Sequence, residues 1–436
     1  MVRIDYTKTT LANGLQVIVH EDRALPIVAV NVWYHVGSKN EERGRTGFAH
    51  LFEHLMFEGS AHYDRGYFQP LQDAGASLNG STNADRTNYW EVVPTGAVDL
   101  ALWLESDRMG YLLPALTEAK FENQRNVVLN ERRQNYENRP YGSVSLALLA
   151  ALYPDEHPYS WATIGEAADL LAASLDDVAA FFRAYYHPAN ASLVLAGDID
   201  GDRGASLAAK YFDEIPPGPI PRPVTPAQAA LDGEIRLVLE DRVELPRLYL
   251  AWHSAGLFGD GDAELDLAAD ALGSGKTSRL YRALVYDSRI ATDVAAGQAS
   301  RELAGFFQVT ATAAPGFGLA PIEEAINRQL HSILDGGLTD AEMTRGRARA
   351  EAHFVYRLQN IGGFGGRSDQ LNAYNVYLGD PGSFDRDLGR YLQATPEGIL
   401  DAARSRLRPD RRVALSVVPR GRLDLALPGS RPVVVT

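Results

Sequence analysis

Asp22-Arg23-Ala24-Leu25-Pro26 leads into an apolar run, Ile27 to Val32, that ends at Trp33-Tyr34-His35. Much later, Asp241-Arg242-Val243-Glu244-Leu245-Pro246 leads into Leu248-Tyr249-Leu250-Ala251-Trp252-His253. The pairs Pro26 and Pro246, Trp33 and Trp252, and Pro188 and Pro409 all stand at one offset of about 220 residues, far beyond solenoid periods. The third pair closes each half alike. A helical stretch runs into Tyr186-His187-Pro188 or Leu407-Arg408-Pro409, and a strand-like run follows, Ser192 to Leu195 or Val413 to Val418. The chain therefore reads as a duplication. The expected fold is α+β, with two homologous domains in tandem, each a mainly antiparallel sheet with helices packed on one face.

The boundary follows from composition. Ile215-Pro216-Pro217-Gly218-Pro219-Ile220-Pro221-Arg222-Pro223 has too many prolines for the interior of a helix or strand. The expected organisation is an N-terminal domain over 1–215, a proline-rich linker over 216–232 and a C-terminal domain over 233–436.

Composition narrows the function classes. The chain has 436 residues, 45% of them hydrophobic and 22% charged, an ordinary globular balance. Its net charge of −14 argues against nucleic acid as a partner, which would call for a basic patch. No window approaches the ~18 apolar residues of a membrane span. There is no cysteine, so a thiolate nucleophile and a cysteine zinc site are excluded, and any metal must sit on His, Asp or Glu.

The chemistry points to Gly47-Phe48-Ala49-His50-Leu51-Phe52-Glu53-His54-Leu55-Met56-Phe57-Glu58-Gly59-Ser60. The stretch from Phe48 to Glu58 lacks proline and glycine and reads as a helix, with Thr46 as its N-cap and Gly59 as its C-cap. His50 and His54 are four apart, so both imidazoles project from one face and can meet one ion. Glu53 lies beside them, placed to reach a metal-bound water without becoming a ligand. This is the H-x-x-E-H order, inverted relative to the commoner zincins. A core histidine pair is the competing reading of these residues alone. A zinc site also needs a third protein ligand and an open position. A second helical pattern, Leu116 to Asn138, contains Asn130-Glu131-Arg132-Arg133, with Gln124 two turns before Glu131 on the same face. Spacing does not say whether the two helices meet.

Several of these segments together resemble the pitrilysin and mitochondrial-processing-peptidase family of inverted zincins. They are His50-Leu51-Phe52-Glu53-His54, Met56 to Ser60, Asn79-Gly80-Ser81-Thr82-Asn83-Ala84-Asp85-Arg86-Thr87-Asn88-Tyr89, Asn130 to Arg133, His157-Pro158-Tyr159 and Ile164-Gly165. The resemblance covers essentially the whole chain, duplication included, and is strongest to the short two-domain bacterial branch. It implies a zinc metalloendopeptidase that holds one Zn2+ per chain on His50, His54 and Glu131, with Glu53 as the general base. It places Gln124 where many members carry an acidic residue behind the ligands. It also makes Asn79, Gly80, Ser81 and Thr82 part of an edge strand on which extended, unfolded peptides pair by β-augmentation.

The second half departs from that pattern. His253, His331 and His353 have no ligand spacing, so no second metal site is expected. In single-chain members the second half supplies an arginine and a tyrosine, seven apart, beyond a stretch resembling Thr277-Ser278-Arg279-Leu280-Tyr281. Here those positions fall on Val285 and Thr292. The resemblance thus implies a metal-bearing subunit of a heterodimer, whose homologous non-zinc partner supplies the pair. The competing function is a non-catalytic scaffold or peptide-binding subunit that has kept the fold. The start, Met1-Val2-Arg3-Ile4-Asp5-Tyr6, lacks the apolar core of a signal peptide. The expected home is nevertheless the periplasm, as for exported members of the branch, with the cytoplasm as the alternative.

Overall fold

The computed structural model describes residues 3–226 and 229–435. Met1 and Val2 at the start, and residues 227 and 228 of the expected linker, lie outside the described residues.

Each half forms one six-stranded sheet. The first comprises β1 (Thr7–Thr10), β2 (Gln16–Glu21), β3 (Ile27–Tyr34), β4 (Ser77–Thr82), β5 (Thr87–Pro94) and β6 (Ala191–Gly197), in the order β1-β2-β6-β3-β5-β4. Its neighbours are antiparallel except β2 and β6. The second comprises β7 (Ile235–Asp241), β8 (Arg247–Ser254), β9 (Ala291–Ser300), β10 (Gly305–Ala313), β11 (Val413–Pro419) and β12 (Arg431–Pro432), in the order β12-β7-β11-β8-β10-β9. The three sequence anchors occupy matching places: a proline just before β3 and β8, a tryptophan within each, and a proline ahead of β6 and β11. The outer strand beside β2 comes from the start of the chain and is antiparallel to it. Its counterpart beside β7 comes from the end and is parallel.

The sheets follow the linear division, but the helices do not. One compact unit gathers residues 1–132, 161–225 and 353–386; the other gathers 133–160, 226–352 and 387–436. In the first unit β3 is buried on both faces, all but its first residue being inaccessible. Val28, Val30, Val32 and Tyr34 share one face by strand alternation, and Tyr34 there packs against Tyr89 and Tyr186. Asn31 and Trp33 share the other face, which receives the helix Arg367–Leu378. Asn372 Nδ2 donates to the Asn31 carbonyl, Asn375 Nδ2 to Ser192, and Trp33 Nε1 to Asp369. The buried face is polar, and its groups are largely paired within the sheet and this helix, which offsets their burial. In the second unit the helix Val144–Leu152 packs against β8 and β11 in the corresponding way.

Candidate metal centre

The first ligand helix spans Phe48–Leu55, shorter than the stretch to Glu58 that its sequence suggests. Gly47, and not Thr46, is its N-cap residue, in the left-handed region at φ 90°. The cap comes from a distance. Glu41, fully buried, accepts from the Gly47 N–H through Oε2 at 3.0 Å and from the Ala49 N–H through Oε1 at 2.8 Å. A carboxylate here satisfies two orphan donors and faces the positive end of the helix dipole. Burial still pushes the Glu41 carboxyl up to about 8, against the pull of those two N–H groups.

Thr46 has a different task. Its N–H and hydroxyl donate to Asp169 at 3.0 and 2.7 Å, and its hydroxyl accepts from the Glu166 N–H at 2.8 Å. The loop 164–166 and the first turn of the helix Ala167–Ala172 therefore lie directly on the start of the ligand helix. Gly165, at φ +76°, touches Gly47 so closely that a Cβ on it would stand 2.4 Å from the Gly47 Cα. Arg132, at the end of the helix Glu118–Arg132, holds the same loop by donating to the Gly165 carbonyl at 3.2 Å and to Glu166 at 3.4 Å. Both ligand helices are thus tied to one loop. The expected second helix continues past Arg132 only as a π-helical turn, Arg133–Glu137.

The clamp brings three donors together. Glu131 Oε2 lies 3.6 Å from His50 Nε2 and 3.5 Å from His54 Nε2, and all three donor atoms fall within 4.8 Å of one another. Those gaps are too long for hydrogen bonds. They suit three ligands of one tetrahedral ion at ~2.0–2.2 Å bonds. The rings stand nearly perpendicular, at 89°, with centroids 4.9 Å apart. Burial, then the neighbouring His54, lowers the His50 pKa to about 4, which keeps its imidazole neutral and free to ligate. Side-chain exposures of 12%, 23% and 36% for His50, His54 and Glu131 leave the third ligand side open to solvent, as a catalytic site requires. The donor set, two imidazoles and a carboxylate, fits zinc. Among the described residues this is the sole such group of histidines and acids, and none occurs in the second half.

Glu53 sits beside this set and is not part of it. Burial raises its pKa, while a hydrogen bond from Thr82 and the charges of His54 and Arg86 act in the opposite direction. A carboxyl drawn upward by burial is a stronger proton acceptor than an exposed one. Gln124 does not support either imidazole. Its Nε2 donates to Glu58, and His50 Nδ1 stays buried without a hydrogen-bond partner. The four residues expected on the edge strand do lie on β4, which pairs with β5 alone. Asn79 Oδ1 accepts from the Gly80 N–H at 2.8 Å, and Ser81 Oγ donates to Asn88 at 2.6 Å. Gly80 is closely packed, since a Cβ would stand 3.1 Å from both the Phe57 and Tyr89 rings, which would have to shift to admit it.

Residues 16–161 match the family described as Insulinase (Peptidase family M16), and residues 172–350 match its companion, described as Peptidase M16 inactive domain. The chain belongs to peptidase family M16. The division between the two matches agrees with the placement of the histidine–glutamate cluster in the first half alone. A zinc protease of Helicobacter pylori, PqqE, is 29% identical over 378 residues, covering 86% of this chain and 83% of that protein. The beta subunit of the mitochondrial-processing peptidase of Caenorhabditis elegans is 27% identical over 242 residues, covering 55% and 51%. The crystal structure of a protease from Helicobacter pylori superposes with a TM-score of 0.88 at 26% identity, over 96% of this chain and all of that one. This M16 chain therefore has two tandem domains like its short relatives, several of which bear the name zinc protease. No described helix is long and apolar enough to cross a membrane.

Of the residues that hold the site in shape, sequence points to Thr46 alone, and then as the helix cap that Gly47 and Glu41 provide instead. Glu41 stands well upstream of the helix it caps, and Thr46, Asp169 and Arg132 meet only in the fold. Arg86 lies inside a motif that was read for its strand character alone.

Proposed function

We propose that this chain is the zinc-bearing subunit of a metalloendopeptidase that hydrolyses unfolded peptides and oligopeptides. The convergence of Glu131 Oε2 on His50 Nε2 and His54 Nε2, with Glu53 beside them, carries this reading. His50, His54 and Glu131 hold the ion. Zinc supplies Lewis-acid polarisation of the scissile carbonyl and lowers the pKa of water toward ~7. Glu53 accepts a proton from the attacking water and returns it to the leaving amine, with the Thr82 hydroxyl fixing its carboxylate. The unpaired edge of β4 offers main-chain donors and acceptors to an extended peptide, a mode tolerant of sequence. The arginine–tyrosine pair missing at Val285 and Thr292 comes, in this proposal, from a homologous partner without zinc. Resemblance to exported members of the branch supports the periplasm over the cytoplasm, and the lack of cysteine is compatible with it.

The test is Glu53→Gln. It should retain one zinc per chain by metal analysis and lower peptide cleavage by ~10²–10⁴-fold. Zinc retained with cleavage undiminished would remove Glu53 from the mechanism. Absence of cleavage by the native zinc-loaded chain, with its partner present, would favour the scaffold reading.

A further inference from the structure

Arg86 is a cation that the reaction described above leaves unused. It follows the tip of the β4–β5 hairpin, half-buried, in a protein of net charge −14. Its Nη1 donates to the Ser81 carbonyl at 2.8 Å and to Ser81 Oγ at 2.6 Å, and its guanidinium lies 5.1 Å from the centre of the Trp33 ring. Those contacts fix the guanidinium plane but use only one of its nitrogens. No described carboxylate forms an ion pair with it. Asp369, which binds the Trp33 indole, is occupied by Trp33 Nε1, Asn88 Nδ2 and the Gly365 N–H. An arginine held by a carbonyl and an aromatic face, with donors to spare, is preorganised for a carboxylate.

Its place in the sheet says which carboxylate. Trp33 pairs with Asn88, and Asn88 with Ser81, so the three form one cross-strand row on one face. β4 ends the sheet, and the next place in that row is open. A peptide strand added to β4 puts one side chain there, ~4.5–5.5 Å from Ser81 between Cβ atoms, under the guanidinium. The following residue, Thr82, bonds Glu53, and Arg86 itself is within electrostatic reach of Glu53. The row therefore lies one residue along β4 from the side chain that bonds Glu53, on the opposite face of the strand.

We infer that Arg86 is a specificity-determining residue that selects peptides with a carboxylate, either an acidic side chain or a free C-terminus, at the substrate position opposite Ser81. This inference rests on the peptidase reading for its geometry. The shared ligand chemistry is the carboxylate, and the two sources are separable by experiment.

The experiment scans glutamate against glutamine through each position flanking the cleavage site of a peptide, offered both as free acid and as C-terminal amide. One position should favour glutamate by roughly 10- to 100-fold in kcat/KM, the range expected of a charge-assisted hydrogen bond. If the C-terminal carboxylate is the ligand, the free acid is preferred over the amide and the internal scan is flat. Arg86→Gln should collapse the preference to near unity, and Arg86→Lys should keep part of it. The same peptides titrated against the Glu53→Gln chain by fluorescence anisotropy decide the matter without turnover. A tighter carboxylate peptide, lost on adding Arg86→Gln, supports the inference even if no peptide is cleaved, in which case the peptidase reading alone falls. Equal binding and cleavage of all the peptides, or a preference that survives Arg86→Gln, overturns it and leaves Arg86 as a hairpin clamp.

Discussion

At the scale of single residues, the environment of Gln124 makes a prediction about charge. Its amide donates to Glu58, so one carboxylate and one neutral donor share the contact. Gln124→Glu would replace that donor with a second carboxylate. Two carboxylates at one contact cannot both ionise cheaply, so the pair must retain a proton and its folded pKa rises above the unfolded value of ~4.3. A raised acid is neutral below its unfolded pKa, and stability falls as pH climbs through the folded pKa. The variant should therefore match the parent in urea unfolding near pH 4 and fall below it by pH 8. A gap that is independent of pH would mean that Glu58 has moved away from the substituted side chain. His50, His54 and Glu53 were legible because helical period and side-chain chemistry are local. Glu131 needed the resemblance, since nothing in a linear spacing says that two helices meet. Gln124 was placed by analogy, and the partner it meets in the fold, Glu58, lay within the quoted motif yet could not be paired with it from sequence.

At the scale of elements, two junctions decide how firmly the helices are held. The first is the contact between Gly165 and Gly47, on which the start of the ligand helix rests. Gly165→Ala would place a methyl into Gly47 and demand a positive φ from a residue that resists it. We expect a loss of about 1–3 kcal/mol in denaturant unfolding and weaker zinc binding by competition with a chelator, because His50 and Glu131 are both tied to this loop. Lost stability with unchanged zinc affinity would show that the ligand pair does not depend on the loop. The second junction lies in the other unit, at the helix Asp340–Arg357. Glu342 accepts from the Thr339 N–H and hydroxyl and takes both Nε and Nη2 of Arg279 at 2.7 Å. Burial alone would raise its carboxyl, yet Arg279 and Thr339 hold it down at about 2. A depressed acid contributes stability above its unfolded pKa, lost as pH falls from ~4.3 toward 2. In Glu342→Gln that part of the acid transition should be missing, so the stability difference from the parent should shrink between pH 5 and pH 2. A difference constant over that range would count against the ion pair as its source. The Thr339-x-x-Glu342 capping pattern was present in the sequence, whereas Arg279 could not be assigned to it without the fold.

At the scale of the whole molecule, the duplication was legible because proline and tryptophan anchors sit at the same points of both sheets. The helix exchange was not. Arg367–Leu378 belongs to the second half of the chain, yet covers the polar face of the first sheet through Asn372, Asn375 and Asp369. Periodicity tells that a helix has a face to bury and is silent on which sheet receives it. The duplication also bears on partnership. The first half carries the His50–His54–Glu131 group to which the proposal assigns the ion, while among the described residues the second half carries no comparable cluster. At the two positions where the resemblance places an arginine and a tyrosine, Val285 has no polar atom, and the Thr292 hydroxyl donates within its own sheet to Asp293 and the Thr312 carbonyl. In the proposed reading such a chain holds the ion and moves the proton, but it brings neither guanidinium nor phenol from those places to the charge that develops on the carbonyl oxygen. Removing one such donor commonly costs ~10²–10³-fold in turnover. The zinc-loaded chain by itself should therefore cleave an unfolded peptide slowly. Adding a homologous subunit that carries the arginine–tyrosine pair should raise kcat by at least ~10²-fold, saturating at one partner per chain. Substituting that arginine in the partner should return the rate to that of the chain alone, with zinc content unchanged. Turnover by the isolated chain equal to that of the mixture would show that the site is complete in one subunit, and the two-chain scheme would be abandoned while the metal centre stood.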